Sequence, residues 1–268
     1  MYDHMERPLP VRAALRTWIA GISVATVDTH AGEPTVIDEP DHATTLAFRT
    51  LAGQDSDLVV MGPRTRALYH AGTPGPSCLK VRIQPGRAQL LLGRSVPDLV
   101  DRLIPLSDLW GEPAKPLTQM LSGLGSDLTA ILERLEDVLL GHLSTRTPGD
   151  LSRSNLVHSA TSVLSASGGR RPEYVRVTAR RLNISERHLR DLFAEAVGVS
   201  PKHFARIDRV RTVLLRGRHA HLAQVATEAG YYDQSHMTAD FRRIMGTSPA
   251  AFIAGRLPAA TSCGPLTA

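Results

Sequence analysis

Cysteine is almost missing from this chain. Only Cys78 and Cys263 occur in 268 residues, which excludes a disulfide framework and a cysteine-rich zinc site. Long apolar runs are missing as well; none approaches the ~18 residues needed to cross a bilayer. Residues 1–10 are polar and charged, with no apolar segment of the secretory kind, so a cytoplasmic protein without a membrane partner is expected. Catalytic signatures are also lacking. There is no G-x-x-x-x-G-K-[S/T], G-x-S-x-G or H-E-x-x-H, so no enzyme and no cofactor are predicted. His30, His42 and His70 share no ligand spacing and no carboxylate pattern. They are expected as surface or hydrogen-bonded histidines, with no metal. Cys78 and the aromatics Trp18, Tyr69 and Trp110 are read as core residues.

Lysine is scarce where positive charge is concentrated. Residues 151–268 carry 17 Lys+Arg against 8 Asp+Glu, and all but Lys202 are arginine. Residues 1–150 carry 14 against 18. The halves thus have opposite sign, as expected of a polyanion-binding domain attached to something else. The hydrophobic content of 42% excludes a chain disordered throughout, and the length suits two domains of roughly 100–200 residues each.

The first domain is placed at residues 1–112. Short apolar stretches at 18–24, 35–37, 44–48, 58–61, 67–69 and 79–83 alternate with Gly- and Pro-rich turns, which predicts a β-rich sandwich or cupin-like barrel. Helical pieces are expected at 87–92 and 96–103. Residues 113–148 form the predicted helical connector and linker. Leu117, Leu121, Leu124, Leu128, Ile131, Leu135 and Val138 follow each other at spacings of four and three. That is a coiled-coil seam, and it predicts a homodimer through Leu121, Leu124, Leu128, Ile131 and Leu135. A helix packed on its own domain would show the same stripe. Pro148-Gly149 is read as linker, and 258–268 as a disordered tail.

Residues 149–257 hold an internal repeat. Phe193-x4-Gly198-x-Ser200-Pro201-x-x-Phe204 recurs 48 residues later as Phe241-x4-Gly246-x-Ser248-Pro249-x-x-Phe252. Each Gly supplies the left-handed residue that ends a helix. Each Ser caps the next helix, and each Pro occupies its first turn, where a missing N–H costs nothing. Upstream lie a helix near 177–182, a turn at Asn183, a cap at Ser185 and a helix over 186–197. The second copy has a helix near 222–229, a turn at Gly230, a cap at Asp233 and a helix over 234–245. These are two tandem helix-turn-helix units. The helix between them, about 17 residues and about 25 Å long, could hold two recognition helices about 34 Å apart, one turn of B-DNA. The fold class is therefore two-domain α+β: a β-rich N-terminal domain, a helical connector and an all-α C-terminal domain.

The stretch from about 151 to 256 resembles the DNA-binding domain of the AraC/XylS family of transcription regulators. Its second signature is Gly230-Tyr-Tyr-Asp-Gln-Ser-His-Met-Thr-Ala-Asp-Phe241 followed by Arg242-Arg243-Ile-Met-Gly246-Thr-Ser-Pro249. Residues 79–87 and 101–111 are similar to the β-rich sensor domains of one subgroup. The resemblance implies seven helices, two motifs in adjacent major grooves of double-stranded DNA, RNA polymerase as a partner and a small-molecule effector. It places base contacts at Arg187 and Arg190, and arginine reads guanine with a two-pronged hydrogen bond. On the second helix Gln234, Ser235 and Thr238 face outward. Ala239 stands where the family commonly has arginine, so the second half-site is expected to be read more weakly. Asp191 stands where a cation is frequent, and it could steady a neighbouring arginine. Phosphate contacts are expected from Lys202, His203, Arg206, Arg209, Arg242 and Arg243. Two alternatives are a constitutive or antagonist protein that dimerises and binds DNA with no ligand, and a cupin-like enzyme fused to a DNA-binding domain.

Overall fold

A computed structural model describes residues 4–27, 35–50, 56–71, 77–165 and 173–261. His30, Cys263 and residues 262–268 of the expected tail lie outside them.

The N-terminal strands are β1 (His4–Leu9), β2 (Ile19–Val27), β3 (Thr35–Asp38), β4 (Thr45–Thr50), β5 (Ser56–Met61), β6 (Leu68–Ala71), β7 (Ser77–Ile83) and β8 (Leu103–Pro105). Six form one antiparallel sheet in the order β1-β2-β7-β4-β5-β8, and β3 and β6 form a separate ribbon. The pairs β2–β7, β3–β6 and β4–β5 nest inside one another, which is the wiring of a rolled-up hairpin. Alternation sets the buried face: Leu79, Val81 and Ile83 point inward along β7 and the residues between them are half-buried.

All six predicted strands are present; β1 and β8 were not predicted. A helix at 88–92 forms as expected (α1, Ala88–Leu92). The helix predicted over 96–103 does not. Val96–Leu99 is a single 3-10 turn, Asp101 then adopts a left-handed conformation (φ 56°), and β8 follows. Next come α2 (Leu106–Trp110), α3 (Ala114–Gly123) and α4 (Leu128–Ser144).

The leucine stripe lies largely in the core of its own chain. It runs through two helices, interrupted at 124–127 by Gly125 in the left-handed region (φ 60°). Asp127 starts α4 by accepting hydrogen bonds from the Thr129 and Ala130 N–H groups. Leu121, Ile131 and Leu135 are each at most 1% exposed and pack with Leu46, Val60 and Leu79 in the domain's own core, with Leu124 and Leu128 at its margin. Heptad spacing reports a buried face, and here the partner of that face is intramolecular.

Seven further helices follow: α5 (Pro148–Leu164), α6 (Val175–Arg181), α7 (Glu186–Val197), α8 (Pro201–Arg216), α9 (Leu222–Glu228), α10 (Gln234–Met245) and α11 (Pro249–Ile253). Pro148 and Gly149 open α5 rather than forming a linker. Thr147 and Asp150 make a reciprocal capping box there, and proline is tolerated in a first turn. The first motif's core takes Val157, Ala179, Leu189, Phe193 and Phe204. The second takes Ile207, Val210, Val225, Met237, Phe241 and Phe252. The phenylalanines of the repeat meet edge-on in both copies: Phe193–Phe204 at 5.3 Å and Phe241–Phe252 at 5.8 Å between centroids. Helix α8 contributes to both cores.

The N-terminal domain is bolted to each motif separately. Gly198 ends α7 with φ 81°, and a Cβ built there would lie 2.7 Å from Val100 Cγ2, so the first motif's turn sits hard against the segment after the 3-10 turn. The ribbon holds the second motif. The Ala67 N–H donates to the Ile244 carbonyl (2.9 Å), and the Tyr69 hydroxyl donates to the Met245 carbonyl (2.6 Å). Part of the expected tail is also docked: the Thr261 N–H donates to the Tyr69 carbonyl at 2.8 Å.

Midway along α8 a buried polar cluster joins the halves. Asp41 receives two hydrogen bonds from Arg82 and lies 3.4 Å from Arg211. These cations hold its carboxyl well below the usual range despite burial. His42 Nε2 is 3.1 Å from Asp208 Oδ1, and its ring stacks on Phe204. Burial holds the imidazole below its ordinary pKa, so it is neutral near pH 7.

Candidate nucleic-acid interface

Both motifs are built by their caps. In the first, α6 ends in a turn at Asn183 (φ 56°), a left-handed position asparagine tolerates. Ser185 Oγ accepts from the His188 N–H and starts α7. In the second, Gly230 (φ 79°) makes the turn and Asp233 accepts from the His236 N–H at 2.7 Å. Leu189, Leu192 and Phe193 face inward on α7, as do Met237 and Phe241 on α10.

That leaves the outward faces. The Arg187 side chain is 93% exposed and lies 3.9 Å from Asp191. The Arg190 side chain is 58% exposed and bonded to Glu186 at 2.8 Å. Each arginine therefore rests on an acid of its own helix at i±4. Such surface pairs contribute only ~0.3–0.5 kcal/mol, so both heads are free to exchange a carboxylate for a base edge. Gln234 and Ser235 are exposed, Thr238 is half-buried, and Ala239 is exposed with no charge to offer. Among the described residues, no part of the acidic N-terminal half covers these faces.

Between the motifs runs a groove of about 1300 Å³, walled by Arg176, Arg190, Lys202, Arg206 and Arg209, with Tyr174 and Tyr232 on its rim. Tyr174 and Tyr232 are 83% and 94% exposed. Sequence reasoning missed Arg176, in the first turn of α6, and both tyrosines, which stand just before α6 and α10, outside the repeated pattern. The groove is a cationic path between two recognition helices, suited to a phosphodiester backbone.

The predicted phosphate contacts divide. Lys202, Arg242 and Arg243 are exposed. Arg206 and Arg209 are committed elsewhere: their guanidiniums lie 3.1 and 3.5 Å from the two oxygens of buried Asp240, and Arg209 also covers the Tyr231 ring at 4.8 Å. They tie α8 to α10 first and offer charge to the groove second. Asp240 was not singled out from the sequence, although it lies three residues after Met237 and one before Phe241, on the inner face of the helix. His203 is half-buried and turned toward a second cavity, described below.

No metal-binding group of three or more His, Cys, Asp or Glu occurs among the described residues. His70 pairs with Asp38 at 3.4 Å, and burial pushes the Cys78 thiol up to about 11. Among the described residues no helix is long and apolar enough to cross a membrane.

Curated protein sequences give no match to the chain. Three solved structures are similar to parts of it. The DNA-binding domain of AdpA, a global transcriptional factor in complex with a target DNA, is 24% identical over 38% of this chain and 90% of its own, with a TM-score of 0.34. A regulator with an AraC-type DNA-binding domain from Chromobacterium violaceum is 19% identical over 40% and 96%, at 0.35. An apo variant of ToxT from Vibrio cholerae is 12% identical over 92% and 98%, at 0.43. A family model described as a helix-turn-helix domain matches residues 178–255, the span from within α6 to just past α11. The matched span holds α7 to α11, the larger part of both motifs.

Proposed function

We propose that the chain is a sequence-specific DNA-binding regulator of transcription that reads two successive major-groove segments unequally. The observation that carries this reading is the pair of capped, outward-facing recognition helices flanking one cationic groove. Arg187 and Arg190 read bases in the first segment. Gln234, Ser235 and Thr238 make weaker contacts in the second, where adenine suits Gln234. Lys202, Arg176 and the exposed Arg242 of α10 hold the backbone. The N-terminal domain, fastened to both motifs, sets their mutual geometry and is the part through which a small-molecule effector would act. Such a protein works in the cytoplasm on promoters used by RNA polymerase. One chain carrying two motifs is the smallest reading unit proposed.

The test is selection of bound duplexes from a random pool by the full chain, at one fixed salt concentration because phosphate contacts make affinity salt-dependent. The expected result is two enriched blocks one helical turn apart, one of them stronger. The double substitution Arg187→Ala/Arg190→Ala should erase the stronger block and weaken specific binding about 100-fold, from ~1–3 kcal/mol per bidentate contact. An unenriched pool would sink the reading.

A further inference from the structure

A second cavity, of about 380 Å³, lies where the N-terminal domain meets both motifs. It is distinct from the DNA-facing groove, although Ser200 and Arg206 border both. Arg66 enters from the segment before β6, His203 and Arg206 from the first turns of α8, and Arg243 from α10. Three separate parts of the chain thus aim cations or an imidazole at one small space.

The charge there is not balanced. Arg66 and Arg243 are exposed, and no carboxylate among the described residues pairs with either. Arg206 shares Asp240 with Arg209. The nearby acid, Asp101, is already engaged, accepting hydrogen bonds from the Thr65 N–H (2.6 Å) and the Thr65 hydroxyl (2.5 Å). His203 Nε2 is buried with no hydrogen-bond partner. A buried polar nitrogen without a partner is unfavourable, and a ligand acceptor would relieve that. The His203 imidazole sits below its ordinary pKa, through burial first and then Arg206, Arg243 and Arg66, with Asp101 opposing.

We propose that this cavity binds a small phosphomonoester. Its phosphate is held by the forks of Arg66, Arg243 and Arg206, and it accepts a hydrogen bond from His203 Nε2. Two uncompensated guanidiniums match the charge of about −2 that a phosphomonoester carries near pH 7, and the guanidinium fork fits phosphate oxygens in a bidentate manner. The volume falls within the ~300–1,000 Å³ of ordinary ligand sites, which leaves room for an organic body beside the phosphate. A ligand there would join the N-terminal domain to α8 and α10 at once. That occupancy adjusts DNA reading rests on the function proposed above; the site itself does not.

The experiment is a pH titration of the His203 imidazole by NMR on the full chain without DNA. Inorganic phosphate is compared with chloride at equal ionic strength. Phosphate should move the His203 titration upward, because an anion favours the imidazolium. Arg66→Ala and Arg243→Ala should each weaken phosphate binding about tenfold, the loss of one charge-assisted contact. Both side chains are exposed, so the thermal midpoint should be unchanged. No response to phosphate, or a response that the double substitution leaves intact, overturns the proposal. A third arm adds duplex DNA in phosphate-free buffer. If His203 responds to DNA and not to phosphate, the cavity receives a backbone phosphodiester and the metabolite site is refuted, with the DNA-binding reading intact.

Discussion

The two helix-turn-helix motifs share a plan and differ in where their charge sits. On α7 both arginines point outward and each leans on an acid of the same helix. On α10 the outward face is Gln234, Ser235, Thr238 and Ala239, and the acid, Asp240, points inward to hold two arginines of α8. The repeated residues of the two motifs are those that end each recognition helix and open the helix after it. The residues that differ are those that would meet DNA. The two motifs share a scaffold and differ in their faces: one presents arginines outward, and the other turns its acid inward to anchor the connector.

The sharpest way to break this contrast is to remove the anchor. Asp240→Ala strands Arg206 and Arg209 without a partner, and it should destabilise the chain by about 3 kcal/mol in denaturant unfolding. The side chains of this trio are 11–21% exposed, so screening trims the loss toward the lower end. The matching change in the first motif, Asp191→Ala, frees an exposed pair and should cost under ~0.5 kcal/mol. Equal losses would mean the anchoring role is not particular to the second motif.

Gly198→Ala tests the other attachment. The residue would have to hold φ 81° and clear Val100, for a loss of about 2 kcal/mol. Gly246 ends α10 in the same conformation, but the nearest atom to a Cβ there is Pro258 Cγ at 3.3 Å. Gly246→Ala should therefore cost about 1 kcal/mol, its backbone strain alone. Thermal unfolding of the two variants side by side would decide.

Ala239→Arg makes the second reading face more like the first. Affinity should rise up to about tenfold, with the logarithmic salt slope steepening by about 0.9 if the new cation meets a phosphate. A higher affinity with an unchanged slope would place the arginine on a base edge.

The smallest effect concerns pH. His42 binds a proton more weakly in the folded chain than in the unfolded one. The unfolded state therefore takes up more protons, and stability should fall as pH drops through ~6.5. His42→Gln should flatten that part of the profile. The depressed Asp41 carboxyl acts in the same direction only below the ordinary carboxylate range, since its stabilising charge is lost when it protonates. A wild-type stability that is level between about pH 7 and 5 would contradict the neutral assignment of His42.

The helical half was legible because its boundaries are written locally. Asn183, Ser185, Gly198, Ser200, Asp233, Gly230 and Gly246 all act within a few residues of where they stand. Partners distant in sequence were not legible. The spacing of Leu121, Ile131 and Leu135 defines a face but not what covers it. β1 reads His-Met-Glu-Arg-Pro-Leu, with no alternation to mark a strand, yet it pairs with β2 along its whole length. β8 is three residues long, too short to carry a pattern. Of the site, the outward arginines of α7 were readable from the cap. The double commitment of Arg206 and Arg209 was not, because it depends on the crossing of two helices.

The ribbon's grip on α10 carries a consequence for the boundaries of the DNA-binding unit. The carbonyls of Ile244 and Met245 lie in the last turn of that helix, where no further helical N–H exists to receive them. The Ala67 amide and the Tyr69 hydroxyl complete that turn from outside. The N-terminal domain thus finishes the second recognition helix as well as carrying it. A fragment cut at residue 148 would keep both recognition helices and lose the two donors that close α10, so its last turn would fray into water while α7 kept its own cap.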